Sequence, residues 1–142
     1  MDRMRTKNRT QTIKPKLDPN QYFNSPIEFN GFYTQGLDNV LHQLVHQTQE
    51  SPYRQEQFRD TVLRDRESFW NNMRANFNVD WLYYLNPLYR RKLAKRIAKL
   101  YMLIRTEWPN MEVIRDIEAE NKRLEDKWAE HNVAEKALRQ AA

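Results

Sequence analysis

Between Tyr89 and Arg105 the chain carries seven basic side chains and no acid, interleaved with an apolar stripe of Tyr89, Leu93, Ile97, Leu100, Tyr101 and Ile104. At about 100° per residue that stripe falls on one side of a helix. Arg91, Lys92, Lys95, Arg96 and Lys99 fan across the other side. A segment so divided must bury one face in a core and leave the other facing anions or water. This gives the expected site: Arg91, Lys92, Lys95, Arg96 and Lys99 as a surface for a partner or an anion.

The rest of the chain offers modest material for the core this helix needs. Of 142 residues 39% are hydrophobic, and the mean hydropathy is −1.00. Such a chain suits one small domain with extensions. The net charge is +5, unevenly spread: residues 80–109 hold seven basic and two acidic groups, residues 110–142 six and eight. Alternating basic and acidic segments suit either docking on partners or an acidic tail folded over the basic helix.

Cysteine is absent, which excludes disulfides and thiolate metal sites and fits a reducing compartment or a virion. No apolar run reaches the roughly 18–20 residues that cross a bilayer, and no apolar signal-peptide region is present. Arg3, Arg5, Lys7, Arg9, Lys14 and Lys16 resemble a mitochondrial presequence in composition, although the segment lacks the apolar face of one.

Proline organises the reading along the chain. Pro15, Pro19 and Pro26 lie among polar, turn-forming residues, and Gly31 and Gly36 follow. Residues 1–35 are therefore expected to form an extended basic arm without regular structure. Its apolar anchors would be Tyr22, Phe23, Ile27, Phe29, Phe32 and Tyr33, laid on a partner or on the chain's own domain.

Leu37, Val40, Leu41, Leu44 and Val45 follow helical spacing and predict a helix over 37–49. Ser51 and Pro52 predict the start of a second helix running to about Asn76, with Phe58, Val62, Phe69 and Met73 as its buried seam. Asp80 is read as the cap of a short turn, and Asn86 with Pro87 as the start of the basic helix, which Pro109 ends. Ile114, Ile117, Asn121, Leu124, Trp128, His131 and Leu138 recur near a/d spacing, so the last segment is either a coiled-coil strand or a helix packed on the basic helix of its own chain. The expected fold is all-α: about four helices in a small irregular bundle, with a helical core over 36–109 and a charged helix over 110–142.

Motifs for chemistry are lacking. His42 and His46 have the spacing of paired metal ligands, but Gln43 stands where a metalloprotease helix places Glu, and no third ligand is evident, so no metal is expected. Asp60, Asp65 and Glu67 alternate with Arg59, Arg64 and Arg66 as on a solvated helix face. No glycine-rich phosphate loop or nucleophile elbow appears. Leu88-Tyr89-Arg90 is similar to the tripeptide of the LYR family of small helical mitochondrial proteins. There the tripeptide opens the first helix, whereas here it follows some fifty residues of predicted helix, and membership is not inferred.

The expected function is therefore a non-enzymatic structural or accessory subunit of a large assembly, such as a virion, a respiratory or ATP-synthase complex, a ribosome or an axoneme. No cofactor is expected, and the partners would be protein subunits met through the arm and the basic helix. The alternative is a small basic nucleic-acid-binding protein that contacts the phosphate backbone, for which Tyr83, Tyr84, Tyr89 and Tyr101 could supply stacking. For the basic helix itself, peripheral contact with an anionic membrane and a plain solvated face are the remaining readings, and an enzyme whose site forms only in space is a third, distant option for the chain.

Overall fold

The computed structural model describes residues 18–141. Among them there is no strand; the order is α1 (Pro19–Phe23), α2 (Pro26–Thr48), α3 (Pro52–Thr61), α4 (Arg66–Met73), a 3-10 turn (Arg74–Asn76), α5 (Val79–Tyr84), α6 (Pro87–Glu107) and α7 (Met111–Ala141). The all-α expectation holds, but with seven α-helices rather than about four.

The first difference lies in the expected arm. Residues 1–17 of it fall outside the described residues, while 19–23 and 26–35 are helical. Pro26 does not break structure here; it occupies the first turn of α2 behind Ser25, whose hydroxyl accepts from the Glu28 N–H at 3.2 Å. Gly31 and Gly36 sit inside α2, where a Cβ would collide with the Trp128 ring and the Phe77 ring respectively. The two glycines are seats for aromatic rings, not turn signals.

The second difference is a break in the helix expected from 52 to 76. The chain leaves α3 after Thr61 and restarts at Arg66, where the Asp65 carboxylate accepts from the Ser68 N–H at 2.7 Å. The buried Leu63 between them turns its carbonyl toward α6 and accepts from Tyr101 OH at 3.0 Å and Arg105 Nε at 3.1 Å. Local spacing could not disclose this, because both partners come from some forty residues away. The cap of α5 is Asn78, which accepts from the Trp81 N–H at 3.0 Å, not Asp80.

One core joins α2 through α7. Phe29, Val40, Leu41, Leu44, Leu63, Phe69, Met73 and Trp81 are fully enclosed, and Ile97, Ile104 and Ile114 are nearly so. α7 runs chiefly along α2, where the buried Asn121 donates to the Thr34 carbonyl at 2.9 Å. The acid-rich C-terminal segment thus covers α2 and does not fold over the basic face of α6. Replacing Phe69 or Ile97 by Ala should each destabilise by about 3 kcal/mol, since both remove buried volume from this core. Denaturant melts shifted by less than about 1 kcal/mol would contradict the assigned packing.

Candidate functional site: the outer face of α6

α6 begins at Pro87 with Asn86 as its cap, whose side-chain oxygen accepts from the Tyr89 N–H at 3.0 Å. Leu93, Ile97, Leu100, Tyr101 and Ile104 are buried as the stripe required. On the far side Leu88, Arg91, Lys92, Lys95, Lys99, Met102 and Leu103 are exposed and share an arc of about 120°. Leu88, Met102 and Leu103 are 62%, 58% and 43% exposed; they place apolar groups at both ends of a cationic middle. Cation spacing marks the middle in the sequence, whereas the apolar ends leave no mark there, since an isolated Leu or Met in an amphipathic pattern carries no signal of its own.

The cations of α6 divide by what they already hold. Arg90 donates from Nε to the Leu85 carbonyl at 2.7 Å and from Nη2 to the Tyr83 carbonyl at 3.1 Å, closing the end of α5. Arg105 is tied to Leu63. Arg96 is half-buried; it donates to Asn30 Oδ1 at 3.1 Å and lies 5.1 Å from the Phe29 ring centre and 4.7 Å from that of Tyr33. Lys92 Nζ lies 5.2 Å from the Phe29 centroid and 5.8 Å from that of Tyr89. Arg91, Lys95 and Lys99 form no ion pair with any described residue. Elsewhere charges do pair, as in Arg115–Glu118 at 2.8 Å and Lys122–Asp126 at 3.0 Å on α7.

Of the five cations read from the sequence, Arg91, Lys95 and Lys99 are exposed and form no ion pair among the described residues, while Lys92 and Arg96 also brace α6 against α2. Burial raises the Tyr33 hydroxyl above its usual pKa, and the Arg96 charge acts in the opposite sense.

The expected arm anchors pack against their own domain. Phe29 and Tyr33 are buried in the core, Phe23 and Phe32 are packed against it, and Ile27 is half-buried. Tyr22 is 38% exposed, with its ring edge-on to Phe23 at 5.0 Å. Phe23 stacks on Tyr84 at 5.7 Å, and Asn24 bridges to the Tyr84 carbonyl and the Asn86 N–H, so the N-terminal turns brace the start of α6. Of the four tyrosines read as stacking surfaces, Tyr101 is buried, Tyr84 and Tyr89 are half-buried, and Tyr83 is 73% exposed with its ring edge-on to Tyr84 at 5.0 Å.

His42 and His46 face different carboxylates, Asp38 at 3.8 Å and Glu50 at 3.5 Å. No group of three or more His, Cys, Asp or Glu is placed to hold a metal among the described residues, and no helix there is long and apolar enough to cross a membrane. Asp65 serves as the cap of α4. Hydrogen bonds from Ser68, followed by Arg64, hold its carboxyl below the usual range. Its contribution to stability is therefore present above the unfolded Asp value and is lost as pH falls through the lower folded value. Asp65→Asn should flatten the acid limb of the melting profile below the pH at which an unfolded aspartate titrates; an unchanged limb would contradict the assignment.

Set against family models, curated proteins and solved structures, the chain has no match.

Proposed function

We propose that the protein is a non-enzymatic structural or accessory subunit of a larger assembly, docking through the outer face of α6. The observation that carries this reading is that Arg91, Lys95 and Lys99 stay unpaired among the described residues while the acid-rich α7 lies on α2. Three like charges on one helical face create a field that a complementary partner surface would neutralise. The exposed Leu88, Met102 and Leu103 favour a protein partner over bare phosphate, because docking cores gain from desolvated apolar contact and phosphate backbones offer none.

A membrane surface is less suited. The apolar stripe that an interfacial helix would insert is occupied by the protein's own core. Purification of the tagged chain from its native source, with and without nuclease, tests the reading. Stoichiometric protein partners that persist through nuclease treatment are the expected result. Loss of all partners on nuclease treatment would favour the phosphate-binding alternative and overturn the proposal.

A further inference from the structure

Beside the cationic face, α6 borders an open groove of about 920 Å³, closed on its other side by α4 and α5. Ala94 and Ala98, one turn apart on α6, line the groove with Trp70 and Leu82, and their small side chains leave volume there that larger ones would occupy. Trp70 and Leu82 are half-buried and form, with the buried Leu93 and Ile97, an apolar floor. The rim carries Arg66, Arg74 and Lys95, all exposed, together with the immobilised Arg90. Of its two acids, Asp65 is engaged by Ser68 and Arg64, leaving Glu67.

Resting on the docking role above, we propose that this groove seats an amphipathic helix of a partner protein, with an apolar stripe flanked by Asp and Glu. Three observations select that occupant. The rim is predominantly cationic, so it complements acidic flanks. The stretch of α6 from Arg90 to Ala98 that lines the groove is about 12 Å long, room for about two helical turns and for anchors at i, i+3 or i+4, and i+7. The buried polar side-chain atoms that lack a hydrogen-bond partner belong to Trp81, Asn121 and Trp128, none of which lines this groove. No buried polar side-chain atom without a partner lines the groove among the described residues, and charge at the rim with apolar contact on the floor matches helix-in-groove recognition.

The test uses the full chain and two fluorescein-labelled peptides with Leu at i, i+3, i+4 and i+7, one with Glu on the flanks and one with Lys. Fluorescence anisotropy should show the Glu peptide binding at least about tenfold more tightly than the Lys peptide. Ala94→Trp, at an exposed position, should weaken the Glu peptide by about tenfold or more while far-UV circular dichroism stays that of the parent. Arg74→Glu, which leaves the groove open, should weaken the Glu peptide and narrow the gap between the two peptides. Equal binding of both peptides, parental affinity in folded Ala94→Trp and in Arg74→Glu, or displacement of the Glu peptide by an oligonucleotide of equal charge would overturn the proposal. The variant Arg91→Gln/Lys99→Gln separates the two levels. If it fails to join the native assembly while Ala94→Trp joins normally, docking stands and the groove assignment falls. If both join normally, the docking role itself falls.

Discussion

Trp81→Ala should remove about 3–5 kcal/mol of folding stability, a large share of the roughly 5–15 kcal/mol that holds a domain of this size together. The indole is fully buried and lies 5.4 Å from Phe29, 6.0 Å from Phe32 and 6.0 Å from Phe77, measured between ring centres. It sits on α5, whose six residues are too few to hold a helix unaided, so the ring fixes the element that carries it. Trp81→Phe should cost less than half as much. The indole N–H has no hydrogen-bond partner among the described residues, and removing an unsatisfied buried donor recovers about 1–3 kcal/mol of desolvation. Chemical denaturation of the three proteins checks the order; equal losses for Ala and Phe would show that the N–H is not an orphan.

The second large effect concerns assembly. Arg91→Gln/Lys95→Gln/Lys99→Gln should melt like the parent, since Gln keeps helix propensity and the three cations touch no carboxylate of the described chain, yet it should be lost from the native complex. Arg96→Gln should behave in the opposite way. It breaks the bond to Asn30 and the stacking on Phe29 and Tyr33, so it should cost about 1–2 kcal/mol of stability while leaving the outer face charged. Treating all five cations as one solvent face would have confounded these two outcomes. A triple variant that assembles at the parental level would show the face to be merely solvated.

The contrast between these cations marks how far the sequence could be read. α6 was legible from end to end: Asn86 and Pro87 start it, the helix ends at Glu107 just ahead of Trp108 and Pro109, and its buried face is the stripe read from spacing except for the half-buried Tyr89. Lys92 and Arg96 lie on the polar arc, and only the fold puts the Phe29 ring beneath them. The start of α2 was hidden for a similar reason. Pro26, Gly31 and Gly36 read locally as breakers, but the proline tolerates the first turn and the glycines admit rings from Trp128 and Phe77, far away in the chain. The pause at Leu63 likewise depends on Tyr101 and Arg105. The groove beside α6 was not legible at all, because two alanines in a helix signal propensity long before they signal missing volume.

The ring seats on α2 also bear on how this sequence can drift. Each glycine is paired with one aromatic side chain whose position leaves no space for a methyl group: Gly31 with Trp128, Gly36 with Phe77. Enlarging either glycine alone forces a ring out of place, whereas a smaller residue at the partner position restores the room. Chains descended from a common ancestor with this one should therefore change 36 and 77 together, and 31 and 128 together, a covariation signature by which distant relatives can be told even where their charged surfaces have diverged.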